Sequence, residues 1–429
     1  MGAATEQQKI YLTGADCFIL ALELHNKHAG ITGNTCRYVL EAAGRLDAKQ
    51  IEDHINSQTA LQELSSFKLG RSMIFGLPYW KPGAGKRILV EEWNSDAFIP
   101  DGILERNLSH EGAQLFTFDI VHRSEHKSVL IFSWNHLILD SQGAALLLGK
   151  VVTGSPIGSL KTDEKRDKWT IGGMIKGYKV TRFVKRSARK PLTGDYSSTG
   201  TNYVKQQIAC LSFNEAETKT IDLNVLSSGS KFGPSAYLLT CCAQEMKQLM
   251  LQKQMDVSNF WVPVPSNRRK KGAKGPLLGN HLTFLFYRLA GEKIASTSAC
   301  VADINDQMIR QMRKKMPDYY EALLKIVKRV PLVLYYSRIK KPQGKSISSF
   351  LFTLADDHPA ELEQIQGIEV ENAWSFPPNI YPPGITFAFM RFKGLLRVMI
   401  LSYHEVLNAG EMELFKNGLR QRLLAGKQN

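Results

Sequence analysis

The amino-acid sequence predicts an α+β protein, mixed sheets with flanking helices, in two halves of similar size. Three observations predict it. Runs rich in branched and aromatic residues alternate with segments of helical period through both halves. A stretch rich in Gly, Ser, Lys and Arg, Thr153 to Thr201, separates them. The 429 residues are 43% hydrophobic and 22% charged, enough apolar material for more than one core. At about 150 residues per domain, two or three domains are expected. The expected division is a first lobe over 1–165, a basic linker over 166–200 and a second lobe over 201–429.

Taken in order, Cys36 to Ala43 reads as a strand ending at Gly44. A helix follows over Ala48 to Asn56, with Asp47 as its N-cap. Leu115 to Val121 and Ser128 to Trp134 read as a hairpin joined by the polar His122 to Lys127. Asn135 to Gly143 is then a polar turn leading into the helical Ala144 to Lys150. In the linker, Trp169, Ile171, Met174, Ile175, Tyr178, Phe183 and Val184 recur near helical spacing among Lys176, Lys179, Arg182, Lys185 and Arg186. This basic amphipathic helix either lies on an anionic membrane or packs on its own protein, with packing favoured.

The second half resumes with a strand near Tyr203 to Phe213. Gly233-Pro234 opens a strong helix with Leu238, Leu239, Cys242, Met246, Leu249 and Met250 on one face. Next come a strand, Phe260 to Val264, a basic loop, Ser266 to Gly279, and a strand, His281 to Leu289. Helices over Thr297 to Lys315 and Tyr319 to Lys328 follow. Ile385 to Arg391 and Leu396 to Ser402 form a hairpin around Lys393-Gly394, and Asn408 with Glu411 opens the last helix in capping-box spacing.

Charge and composition narrow the function classes. The excess of 55 Lys+Arg over 40 Asp+Glu gives +15, which favours anionic ligands, anionic membrane faces or acidic proteins. Nucleic acid is disfavoured, because no zinc-finger spacing, recognition helix or aromatic single-strand platform accompanies the basic runs. Six scattered cysteines lack metal-ligand spacing and fit a reducing compartment, so no metal is called for. No apolar run reaches the roughly 18 residues of a membrane span, and the first residues are polar where a signal peptide needs an apolar core. The expected location is cytoplasmic, with peripheral contact at the inner membrane face as the addition the linker helix suggests.

Gly83 to Arg87 fails as a phosphate-binding loop, since Trp80 stands in place of its leading glycine and Arg87 in place of its closing hydroxyl residue. The chemically promising segment is His136-Leu137-Ile138-Leu139-Asp140, an HxxxD pattern followed by Gly143. Its histidine ends an apolar strand and its aspartate opens a turn into a helix. Anchored by the apolar trio, both polar groups stand at the rim of a core. A neutral imidazole there can take a proton from a hydroxyl or amine, work contributing roughly 10² to 10⁴ in rate.

Here the sequence resembles the HHxxxDG acyltransferase superfamily: wax ester synthase/diacylglycerol acyltransferases, polyketide-associated acyltransferases, nonribosomal peptide synthetase condensation domains and, more distantly, chloramphenicol acetyltransferase and plant BAHD enzymes. Beside HxxxD, the resemblance rests on Leu12-Thr13-Gly14-Ala15-Asp16 with Phe18-Ile19-Leu20, on Gly44-Arg45-Leu46-Asp47, on Val262-Pro263-Val264 with Asn267-Arg268 and Gly279-Asn280, and on Leu401-Ser402-Tyr403. It implies two chloramphenicol-acetyltransferase-like lobes in a V with a tunnel at their interface. No bound cofactor is implied. The acyl donor would be a coenzyme A or phosphopantetheine thioester, the partners acyl-CoA or an acyl carrier protein, and the acceptor a hydroxyl or amine on a lipid-like molecule. His136 would be the general base. Asp140 would hold the turn by pairing with an arginine, for which Arg268 matches by position, and Asn280 would be either a polar contact near the tunnel or a strand-end turn residue.

Two departures stand out: Asn135 replaces the first histidine of the family's pair, and Ser141 replaces the glycine after the aspartate, with Gly143 two residues on. Three readings follow. The first is an acyltransferase, the second a free-standing condensation enzyme that makes an amide from carrier-bound substrates, and the third a noncatalytic binding protein that retains the fold.

Overall fold

Backbone hydrogen bonding and apolar burial divide the chain into two sheet-based lobes with a strand exchanged between them. The computed structural model describes residues 9–426 apart from 72–75, 125, 159, 161–169, 189–204, 256, 271, 341–345 and 356. Trp169 and the end of the expected linker therefore lie outside the described residues. No helix among those described is long and apolar enough to cross a membrane.

The first lobe opens with β1 (Ile10–Tyr11) and α1 (Gly14–His28). Thr13 and Asp16 cap α1 reciprocally, each side chain meeting the other's backbone N–H. The next strand, β2 (Thr35–Ala42), is buried almost throughout. Helix α2 (Ala48–Ser57) starts at Asp47, whose carboxylate accepts from the Gln50 N–H as expected. Then come α3 (Thr59–Ser65), β3 (Lys68–Arg71), β4 (Pro78–Lys81), β5 (Val90–Asn94) and α4 (Asp101–Leu104). Strands β6 (Phe116–His122) and β7 (Ser128–Asn135) form the expected hairpin, with Phe118 opposite Phe132 and Phe116 opposite Trp134. Helix α5 (Ser141–Val152) follows the turn. Rings stack between strands, Phe118 on Phe132 at 4.7 Å and Tyr38 on Trp134 at 5.4 Å, and along β7, Phe132 on Trp134 at 5.1 Å.

The linker's helix is α6 (Ile171–Ser187), capped by the Thr170 hydroxyl. The second lobe contains β8 (Gln206–Ser212), α7 (Glu215–Ser227), α8 (Ser235–Gln252), β9 (Asn259–Asn267) and β10 (Leu282–Ala290). The chain continues through α9 (Gly291–Ile294), α10 (Thr297–Arg313), α11 (Met316–Val327), α12 (Leu332–Lys340), β11 (Leu351–Leu354), β12 (Gln364–Ile365), β13 (Ile368–Phe376), β14 (Ile385–Phe392), β15 (Leu395–Tyr403) and α13 (Ala409–Ala425). Positive φ angles of 49° at Lys393 and 76° at Gly394 close the β14–β15 hairpin. Asn408 and Glu411 form the expected capping box on α13. Cys241 and Cys242 are buried among the core residues of α8.

Among the described residues, the strands assemble into a six-stranded sheet of order β12-β13-β2-β7-β6-β5 and a four-stranded one of order β11-β14-β15-β8, with smaller ones beside them. One strand from within the expected second lobe, 201–429, joins the first sheet. Strand β13 belongs by sequence to the second half, but it pairs antiparallel with β2, Trp374 opposite Val39 and Phe376 opposite Arg37. Its residues Val370, Ala373, Trp374 and Phe376 are buried in the first core. An open β2 edge and an apolar strand able to cover it explain the exchange.

Candidate functional site

The segment between β7 and α5 is held in place by groups from distant parts of the chain. Asn135, the last residue of β7, is fully buried. Its Oδ1 accepts from the Leu137 N–H at 2.8 Å, and its Nδ2 donates to Leu108 O at 2.8 Å and to Glu23 Oε2 at 3.1 Å. Asn135 thus shapes the turn rather than offering a second base. Burial alone would raise the Glu23 carboxyl, yet His110, Ser109 and Asn135 outweigh it and hold it below the usual range.

The His136 N–H donates to Asn34 O at 2.8 Å, and its carbonyl accepts from Asn280 Nδ2 at 2.9 Å. The imidazole is half-buried. Its Nδ1 lies 3.2 Å from Leu139 O. A carbonyl oxygen only accepts, so Nδ1 carries the proton and Nε2 keeps its lone pair. Among the described residues Nε2 has no hydrogen-bond partner. Burial pushes the imidazole below its ordinary value of 6.5, against the opposing pull of the Leu139 carbonyl and the Asp140 and Asp16 carboxylates. The ring is therefore neutral at pH 7.

Asp140 is fully used in structure. Its Oδ1 caps α5 through the Gly143 N–H at 2.8 Å, and its Oδ2 accepts from the His281 N–H at 3.1 Å and pairs with Arg269. The expected partner, Arg268, is corrected to Arg269. Arg268 instead reaches Asp318 and Glu321 on α11, at 3.2 and 3.0 Å. Side-chain alternation, carried past the end of β9 by the hydrogen bond from the Arg268 N–H to His281 O, explains the difference. Asn267 and Arg269 lie on the side facing the start of α5, where Asn267 also bonds Gln142, and Arg268 lies on the other. Only 2% of the Arg269 side chain is exposed.

Asn280 is 1% exposed and ties three segments together. Its N–H and Nδ2 donate to Asp16 Oδ1 at 2.7 and 2.8 Å, while the Thr13 hydroxyl donates to its carbonyl at 3.3 Å. The Gly279 N–H donates to Ile138 O at 2.9 Å, and a short bridge joins Leu139 with Gly279. Burial raises the Asp16 carboxyl despite the donors around it from Asn280 and Thr13. Gly143 is needed for the fit of this loop, since a Cβ there would lie 2.3 Å from Leu277 O. Ser141 makes no such approach. Its hydroxyl meets Tyr38 OH at 2.9 Å and Ser375 Oγ at 3.3 Å, which adds β2 and β13 to the support.

The structure thus brings together Asn135, His136, Asp140, Ser141, Gly143 and Asn280, and sets Arg268 apart. The sequence reading missed Arg269, Asp16 as the anchor of Asn280, and Glu23 beneath Asn135. Only Arg269 left a direct signal, as the second arginine of a pair.

No protein-family model matches the sequence, and no curated protein matches it. Solved structures do. The first condensation domain of the CDA synthetase matches with a TM-score of 0.65 at 14% identity, covering 98% of both chains. A trichothecene 15-O-acetyltransferase from Fusarium sporotrichioides matches with a TM-score of 0.71 at 12% identity, over 100% of this chain and 97% of that one. The epimerization domain from the third module of tyrocidine synthetase B gives 0.63 at 11%, over 99% and 98%. At such identities the likeness speaks for architecture: the chain has the fold of these condensation, epimerization and acetyltransferase structures, the fold that the motif-level resemblance implied.

Proposed function

We propose that the protein is an acyltransferase that moves an acyl group from a coenzyme A or carrier-protein thioester to a hydroxyl or amine, with His136 as general base. The observation that carries this reading is the state of the ring: neutral, its proton on Nδ1 at the Leu139 carbonyl, its Nε2 lone pair available. As the acceptor O–H or N–H attacks the thioester carbonyl, Nε2 takes its proton. The tetrahedral intermediate then expels the thiolate, which takes that proton back from the imidazolium. The products are an ester or amide and a free thiol. Asp140 accepts no proton in this scheme. With Arg269, Asn280 and Gly143, it fixes the loop that aims the ring, the positioning on which such catalysis depends.

The test is thiol release from acyl-coenzyme A and acyl-carrier donors with alcohol, diglyceride and amine acceptors, for the natural protein and His136→Ala. Acceptor-dependent release abolished by the substitution supports the reading. Equal release by both proteins, or none from any donor, moves a binding role to first place. Release with carrier-bound donors and amine acceptors alone would select the amide-forming alternative.

A further inference from the structure

Helix α6 presents two different faces. Gly177 and Val180 are buried, and Phe183 and Val184 are half-buried beside them. A Cβ on Gly177 would lie 3.2 Å from Ile326 and 3.5 Å from Leu323 on α11, and Lys179 stands over the Tyr319 ring. These contacts run in opposite directions along the two chains, so α6 and α11 pack antiparallel. On the opposite face Ile171 is 79%, Ile175 52% and Tyr178 67% exposed, with Met174 between them. At 100° per residue the same face continues through Arg182, Lys185 and Arg186. The helix has no acidic residue. Among the described residues, none of its five basic side chains forms an ion pair. The antiparallel packing also directs the first turns of α6 toward the end of α11, after which α12 exposes Val333 and Leu334.

We propose that this face docks the protein peripherally on an anionic lipid surface. Its apolar first turns enter the headgroup layer, and Arg182, Lys185 and Arg186 meet the lipid phosphates and carboxylates. Charge complementarity selects this occupant: positive charge with no ion pair among the described residues adjoins large exposed apolar side chains on one face of a helix that carries no acidic residue. The inference is independent of the reaction proposed for His136.

The test is co-sedimentation of the full chain with phosphatidylcholine vesicles, with and without phosphatidylserine, beside Ile175→Asp/Tyr178→Asp and Arg182→Gln/Lys185→Gln/Arg186→Gln variants. Binding should require phosphatidylserine and weaken with salt, and each variant should lose about tenfold or more in partitioning. Circular dichroism should be unchanged, because the substituted side chains are solvent-exposed or face away from α11. Equal sedimentation with both vesicle types, or full binding by both variants, overturns the proposal. So would a dimer that dissociates in the aspartate variant without vesicle binding by the natural protein, since it would assign the face to a second copy of the chain.

Discussion

In the 135–140 loop, hydrogen bonds between neighbouring residues are joined by partners drawn from far along the chain, whereas in α6 one face is packed and the other meets solvent. Both segments carry polar side chains beside apolar ones, so composition alone does not tell them apart. Context does. The loop is fixed by hydrogen bonds with α1, with the segment before β10 and with Arg269, and among the described residues Nε2 of His136 has no partner. Rigidity around one available lone pair suits chemistry, and an uncompensated exposed face suits adsorption.

Substitutions can break or sharpen this contrast, and the largest effect is expected at the unpaired group. His136→Ala should lower kcat/KM by roughly 10² to 10⁴ while leaving the melting temperature nearly unchanged, because its side chain makes a single hydrogen bond among the described residues. A steady-state assay beside a thermal melt checks both halves of that statement. Arg269→Ala should act in the reverse sense, costing about 3 kcal/mol by stranding Asp140 in a partly buried site, with activity falling as the loop loosens. Denaturant unfolding would show it. Gly143→Ala should cost about 1–3 kcal/mol, since its Cβ must displace the Leu277 backbone.

The pH profile is a gentler probe. Because burial depresses the His136 pKa, kcat/KM should rise with pH up to a value below 6.5 and stay flat through neutrality. The linkage has a definite sign. The unfolded chain binds this proton more readily than the folded one, so the contribution of His136 to stability is complete above 6.5. It is lost as pH falls through the folded value. A stability profile that fell as pH rose through this window, and did so only when His136 was present, would contradict the assignment. The smallest effect is expected from Arg268→Ala, whose side chain is 41% exposed: within about 0.5 kcal/mol in the same unfolding assay, with unchanged activity. If it equalled Arg269→Ala, the alternation argument would fail.

Much of the fold was legible because its signals are local. The Asp47 cap, the Asn408–Glu411 box, the hairpin between Phe116 and Asn135 and the β14–β15 turn depend on residues a few positions apart. His136 and Asp140 stood out for the same reason, as a motif at a strand end. The strand 368–376 was not foreseen, since nothing within it names β2, more than 300 positions earlier, as its partner. Asp16, whose residue falls in a recognisable segment, acquires its role only by meeting Asn280, 264 positions away. Similarly, an amphipathic pattern in α6 could not say which of its apolar residues α11 would cover.

By itself, the sequence determined the periods, caps and turns of the secondary structure, an α+β protein in two halves, and a histidine and aspartate at the mouth of a helix. Tertiary structure decided that β13 crosses to the first sheet, that Arg269 rather than Arg268 neutralises Asp140, that the proton of His136 sits on Nδ1, and that Ile171, Ile175 and Tyr178 stay exposed. Local preferences arise from interactions within a few residues, which a linear sequence records. Partners, tautomers and burial arise from contacts across the folded chain, which exist only once distant segments have packed.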